Sequence, residues 1–253
     1  MIRMGTSGFY YDDWIGEVYP SELPKWQWLS YYARSFNTVE LNVTYYRLPT
    51  PKLIKGWIER TPDDFLFTVK AHKSLTHTRH EVDFEGFYSS IEGLLDGDRL
   101  ACVLAQFPHS FHLNERNREY LHILREGLRD LPVVVEFRGR DWVVDATFAL
   151  LEELDLGFCC VDEPKLPGLM PRITKVTGPI AYVRFHGRNS EKWWKHEKAW
   201  ERYDYTYSEE ELSDWVPRIL DLDEKAILTL VYANNHYRGQ SVDTLNKLQR
   251  LMF

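Results

Sequence analysis

Ionisable and amide side chains recur in this sequence two residues apart at the ends of short apolar runs. Glu40 and Asn42, Lys70 and His72, Glu136 and Arg138, and Arg184 and His186 all have that spacing. Residues i and i+2 of a strand share a side, so each pair points one way and its apolar neighbours the other. Glu40, His72, Glu136 and His186 are the acid/base candidates, because carboxylates and imidazoles can move protons near neutral pH. Lys70, Arg138 and Arg184 carry the charge and donor geometry to clamp a phosphate or carboxylate. Ser7, Asn42, Gln106, Asp162, Asn234 and Asn235 complete the set of candidate ligand-binding residues. Asp162 shares its face with Cys160. Ser7 is also a hydroxyl nucleophile by type, but no G-x-S-x-G turn surrounds it.

The elements that must position these groups read as an eightfold alternation. Apolar runs rich in Val, Phe, Tyr and Leu predict strands over Ile2–Ser7, Thr38–Val43, Phe65–Ala71, Leu100–Gln106, Val133–Arg138, Gly157–Asp162, Ile180–His186 and Ala226–Tyr232. Amphipathic stretches predict helices over Trp26–Phe36, Lys52–Arg60, Phe84–Leu95, Arg116–Leu131, Ala146–Leu154, Glu209–Leu220 and Val242–Met252. Ser208 and Ser241 precede two of them as N-caps. Trp26, Trp28, Trp57 and Trp215 sit at helical spacing and are read as core. The segment 163–179 is rich in Pro and Gly, and a helix there is doubtful.

Strand and helix alternating without a break in composition predict a single (β/α)8 barrel of the TIM type spanning residues 1–253. The alternative, an open doubly wound sheet, ranks second because Gly5-Thr6-Ser7-Gly8 lacks the G-x-G-x-x-G spacing. In a barrel the polar pairs converge on the C-terminal mouth, where loops and strand ends meet. The region after strands seven and eight, with Arg188 and the Gly239-Gln240-Ser241 helix entry, is one place for an anion. The connection 187–207 holds three Trp and three Tyr among many charges, and is long for a βα loop. It reads as a rim excursion, a lid, or both.

Composition sets limits. The 253 residues carry 31 Lys and Arg against 38 Asp and Glu, a formal charge of −7. That disfavours a general nucleic-acid or membrane-surface coat. Nucleic acid remains the weaker alternative to a small anionic partner, motivated by the Lys/Trp/Tyr interleaving of 192–207. A barrel with merely paired mouth charges, serving as a scaffold, is the third reading. No apolar run approaches the length of a membrane helix, and no signal region opens the chain. Three cysteines, Cys102, Cys159 and Cys160, make no disulfide framework. A reducing cytoplasm is the expected compartment. No cofactor is implied. A divalent metal is possible through His72, His77, His80, His186 and the acids Glu40, Glu136 and Asp162, but Arg138 and Arg184 would repel it.

Taken in order, several stretches resemble the YecE-like family, domain of unknown function 72. They are Gly5-Thr6-Ser7-Gly8 with Trp14 and Tyr19-Pro20, then Phe36–Asn42 with Thr44-Tyr45-Tyr46. They continue with Phe67–Lys73 and Thr76-His77, Leu104–Pro108, Val135–Arg138 with Trp142, Tyr182–Arg188, and Asn234-Asn235-His236. Phe9 stands where the family often has Trp or Tyr. The resemblance implies a TIM-like barrel and no particular reaction. A looser similarity to endonuclease IV and xylose isomerase is one of fold only, and the arginines put a metal cluster of that type in doubt. The combined expectation is an enzyme, of hydrolase or lyase type, or a former enzyme. It would hold a small phosphorylated or sugar-like anion at the barrel mouth, and Arg184 should be removable without unfolding the chain.

Overall fold

The computed structural model describes residues 1–253. Eight parallel strands follow one another around a barrel: β1 Ile2–Thr6, β2 Thr38–Leu41, β3 Leu66–Lys70, β4 Leu100–Gln106, β5 Val133–Glu136, β6 Leu156–Asp162, β7 Ile180–Phe185 and β8 Leu228–Ala233. Each pairs with its neighbour in the order β1-β8-β7-β6-β5-β4-β3-β2, which is the expected TIM-like (β/α)8 topology. Apolar side chains from strands and helices merge into a single core cluster of 59 residues.

The seam between β1 and β2 is nearly closed. Gly8 donates its amide to the Glu40 carbonyl at 2.8 Å. Below that, the Tyr32 hydroxyl accepts from Thr6 N at 2.7 Å and donates to Thr38 O at 3.0 Å, so a side chain stands in for the missing ladder bonds. The approach requires Gly5, where a Cβ would sit 2.1 Å from the Thr38 carbonyl oxygen.

The helices are α1 Trp28–Tyr32, α2 Pro51–Ile58, α3 Phe84–Asp96, α4 Glu115–Leu128, α5 Asp145–Glu153, α6 Glu209–Ser213, α7 Val216–Lys225 and α8 Gln240–Met252. Their starts are chemically marked. Thr50 caps α2 with Pro51 at its first position, Asp83 caps α3, and Asn114 caps α4. Ser208 and Glu211 form a reciprocal capping box on α6. No helix fills 163–179.

Some expectations are corrected. The single helix over 209–220 is two, because Pro217 lacks an amide hydrogen and its ring would clash with the Ser213 carbonyl. Ser241 caps nothing: α8 starts at Gln240, two residues earlier than expected, after Gly239 in the left-handed region, and Ser241 lies buried in the first turn. Trp26 is 66% exposed, while Trp28, Trp57 and Trp215 are buried in the core as read. Residues 25–27 form a separate 3-10 turn, which rotates Trp26 off the buried face of α1. No helix is long and apolar enough to cross a membrane.

Candidate functional site

Three strands, with residues just past strand ends, contribute one buried charge network to the barrel interior. Arg184 of β7 sits at its centre, donating from Nη1 to Glu136 Oε2 and from Nη2 to Glu40 Oε1, both at 2.6 Å. A third bond, of 3.3 Å, joins Nη2 to Ser7 Oγ. Tyr182, two residues before Arg184, donates to the other Glu40 oxygen at 2.7 Å. Arg138 Nε meets Glu136 Oε1 at 2.8 Å, and its Nη1 is 3.5 Å from Glu163 Oε2. The period-2 reading of β2, β5 and β7 therefore brings Glu40, Glu136 and Arg184 together. They are neutralised by one another rather than by water, the condition under which buried charges are tolerated.

This pairing sets their protonation. Burial alone would push the Glu136 carboxyl up, yet Arg138, Arg184 and His186 hold it well below the usual carboxylate range. Burial would likewise lower Arg184, but Glu136 and Glu40 keep it firmly charged. His186 is the opposite case. Burial, reinforced by Arg138, pushes its imidazole down to about 3, so it is neutral at physiological pH. Nε2 then donates to Glu136 Oε1 at 3.2 Å, and Nδ1 accepts from Asn234 Nδ2 at 3.0 Å.

Above the network opens a cavity of about 870 Å³. Arg184, Arg138 and Lys70 reach it from below, with Asn42 and Asn234. Lys25, Arg47 and Arg60 stand farther out, and no Asp or Glu lines it anywhere. Aromatic rings form the walls: Tyr10, Tyr45, Tyr46, Trp57, Trp200 and Tyr203. Glu40 and Glu136 lie beneath this floor with no solvent exposure.

Not every candidate reaches the cavity. Asp162 and Cys160 point outward from the barrel, because it is Cys159 that faces inward, with Sγ 3.8 Å from Glu136 Oε2. The parity of β6 is thus one residue off from that expected, and a shift of one reverses the face. Asp162 instead accepts both Arg188 bonds at 2.8 Å, the Tyr207 hydroxyl at 2.6 Å and the Trp215 indole at 2.7 Å. His72 follows the end of β3, where strand alternation no longer holds, and its Nδ1 lies 2.9 Å from Ser74 Oγ. It is absent from the cavity lining, as are Glu40, Glu136, His186, Ser7, Gln106 and Asn235. Gln106 donates to the Phe107 carbonyl, and Asn235 Nδ2 donates to Tyr205 O and Thr244 Oγ1, both at 2.9 Å. His77 and His80 do not gather with the acids: no three His, Cys, Asp or Glu side chains are grouped to hold a metal.

The long connection is tied down at both ends of its excursion. Arg188, held by Asp162, also donates to Glu211 at 2.7 Å, and Asn189 donates to the carbonyls of Glu201 and Asp204, both at 3.1 Å. Gly187 has φ +86, and a Cβ there would lie 2.8 Å from Tyr205 Cβ. Trp193 is buried, and Trp200 stacks on Tyr237 at 4.0 Å, so these rings are engaged within the chain. Trp200 and Tyr203 also line the cavity, which makes the segment both rim packing and site wall. It covers the α8 entry too: Gln240 bonds Tyr205 N and Asp204 Oδ1, each at 2.8 Å. The cavity is therefore walled by the segments after β1, β2, β7 and β8, while the α8 entry itself is covered.

Residues missed by the strand reading come from loops. Tyr45, Tyr46 and Arg47 follow β2, Tyr10 and Tyr11 follow β1, and His236 follows β8. His236 stacks on Tyr11 at 4.5 Å. Tyr10, Tyr11 and Arg47 are signalled only by their proximity to a strand end, whereas Tyr45, Tyr46 and His236 also fall in the stretches that carry the family resemblance.

The family profile described as "Protein of unknown function DUF72" matches residues 3–253. The UPF0759 protein YunF of Bacillus subtilis is 30% identical over 270 residues, covering 100% of this chain and 95% of its own. A DUF72 family protein of Thermotoga maritima, TM1631, superposes with TM-score 0.93 at 41% identity over 100% of this chain and 99% of that one. A D-psicose 3-epimerase of Clostridium cellulolyticum, solved with D-tagatose, superposes at TM-score 0.53 and 9% identity over 99% of each chain, a likeness of fold.

Proposed function

The chain belongs to the DUF72 family, and we propose that its barrel mouth binds a small organic anion carrying a phosphate or carboxylate. The observation that supports this is the distribution of charge. The protein is acidic overall, yet its 870 Å³ cavity is lined by six Lys and Arg side chains and by no acid. The size suits a small organic ligand, and the Tyr and Trp walls suit an apolar or sugar face behind the anionic group. In this reading Glu40, Glu136 and Ser7 act from below. They fix the Arg184 guanidinium, whose preorganised donors then cost little to bring to the anion. Asn42 and Asn234 orient the ligand's polar groups. Asp162 and Asn235 hold the 187–207 wall in place.

The test is thermal unfolding with inorganic phosphate, glycerol 3-phosphate and ribose 5-phosphate, each beside its uncharged counterpart where one exists. A ligand at about 100 times its Kd adds about 2.7 kcal/mol of stability. Asn42→Asp is nearly isosteric and places a carboxylate in a cavity that has none. Two like charges about 6–8 Å apart at an effective dielectric constant of about 20 repel by about 2–3 kcal/mol, so affinity should fall about 30- to 100-fold. If none of the anions stabilises the protein at low salt, or if Asn42→Asp binds them as tightly, the reading is wrong.

A further inference from the structure

Lys70 differs from the other two cations of the cavity floor. Arg184 is paired with Glu40 and Glu136, and Arg138 with Glu136 and Glu163. The Lys70 ammonium has neither a hydrogen bond nor a salt bridge, and its one close partner is the face of the Tyr45 ring, 4.8 Å from Nζ. The carboxylates that could satisfy it are already committed to the guanidiniums. On the premise that the mouth binds an organic anion, we propose that Lys70 is a nucleophilic amine that forms an imine with the carbonyl group of an anionic aldehyde or ketone.

The surroundings suit that chemistry. An amine attacks only in its neutral form, and desolvation beside other cations is the usual way a protein keeps a lysine neutral. Tyr45 packs against it from the segment after β2, His77 from the turn after β3, Arg138 from the segment after β5 and Arg184 from β7, with Glu40 and Glu136 behind the arginines. Burial, and then Arg184, lower the Lys70 amine to about 8, and the opposing pull of the two glutamates does not restore it. Near pH 7 the neutral fraction is then about 300-fold larger than for a lysine at the ordinary 10.5. His77 is itself pushed down to about 4 by burial and by Lys70, so it adds no positive charge near neutral pH.

The step balances without a redox partner. The ammonium first gives a proton to water. The amine nitrogen adds to the carbonyl carbon as the C–O π bond breaks, and the oxygen takes up a proton as the nitrogen gives one up, to give a neutral carbinolamine. The C–O bond then breaks with protonation of the departing hydroxyl, releasing water and leaving a protonated C=N bond to Lys70. Arg138 and Arg184 would hold the ligand's anionic group and so present its carbonyl to the amine. No net proton or electron is gained or lost.

Glyceraldehyde 3-phosphate supplies a carbonyl and an anion, and glycerol 3-phosphate supplies the anion alone. The protein is incubated with glyceraldehyde 3-phosphate and sodium cyanoborohydride, which reduces an imine to a stable amine, and is then examined by intact mass and peptide mapping. The expected result is one dominant adduct on the Lys70 peptide. Its rate should rise through about pH 8, glycerol 3-phosphate should suppress it, and Lys70→Arg should lose it while keeping a cooperative melting transition. If Lys70→Arg fails to fold, competition and mapping in the unaltered protein decide. Binding of glycerol 3-phosphate without an adduct at Lys70 overturns the imine and leaves the anion site standing. Modification spread over exposed lysines, unchanged in Lys70→Arg, overturns it equally. An adduct at Lys70 that glycerol 3-phosphate does not suppress overturns the anionic substrate class.

Discussion

Replacing Arg184 by Met should destabilise the protein severely, a larger effect than the sequence reading, in which the chain stays folded without this arginine, would lead one to expect. Methionine roughly fills the space of the arginine stem but supplies neither the charge nor the donors. Glu136 would keep Arg138 at 2.8 Å and His186 at 3.2 Å, while Glu40 would keep only the Tyr182 hydroxyl at 2.7 Å. Removing one partner of a buried ion pair costs about 3–5 kcal/mol, because a charge is left behind without compensation. For a chain of this size each kcal/mol moves Tm by about 2–4 °C, so the fall is about 6–20 °C. A cycle with Glu40→Gln identifies the cause. Alone, Glu40→Gln should destabilise, since it weakens a 2.6 Å ion pair. In the Arg184→Met background it should stabilise, since it removes the orphaned charge. Urea unfolding followed by circular dichroism gives all four corners. If the two losses simply add, the network does not act as a unit, and the account of the floor given above fails.

His186 has a folded pKa of about 3 against an ordinary 6.5, so between those values the unfolded chain binds a proton that the native state refuses. Stability should fall on acidification through that window by up to about 1.4 kcal/mol per pH unit, and His186→Gln should flatten this slope in urea titrations from pH 7 to 4. The depressed Glu136 carboxyl acts in the same direction at lower pH: its contribution is present above the ordinary carboxylate range and is lost as pH falls through it. Asp162→Asn removes an acceptor used by Arg188, Tyr207 and Trp215 at the root of the 187–207 segment. Limited proteolysis should then cut within 189–206 markedly faster, and an unchanged cleavage rate would show that other contacts hold the segment.

How far the sequence disclosed the site follows from the physics of each residue's position. Glu40, Glu136 and Arg184 were legible because they lie within strands, where a period of two and a sealed apolar face fix direction. Arg138 and Asn42 lie just past the observed strand ends and still reach the cavity, whereas His72, two residues beyond Lys70, does not. Alternation loses its force once the ladder hydrogen bonds stop. Asp162 shows the other weakness. The run Leu156–Asp162 is apolar on both faces, as a strand buried on both sides must be, so hydrophobicity gave no parity and the adjacent cysteines did not break the tie. Only the contact of Cys159 with Glu136 settles it.

The same reasoning explains why the cavity's character was half visible. Its cations are named from strand ends, but the sequence places the acids and bases together and predicts a mouth that is neutral to positive. The structure separates them by depth. Carboxylates have short side chains and remain below, fully paired, while Arg138 and Lys70 are long enough to present part of their surface above and Arg184, only 1% exposed, lines the bottom of the floor. Sorting by side-chain length turns a near-neutral set of residues into a floor that offers a ligand only positive charge. It also leaves Lys70 as the one member with no carboxylate partner, since the two guanidiniums, with more donors each, occupy the available oxygens. The unpaired Lys70 side chain is thus a consequence of the pairing that stabilises the barrel interior, and any change that releases Glu40 or Glu136 from Arg184 should also quench Lys70 by giving it a partner.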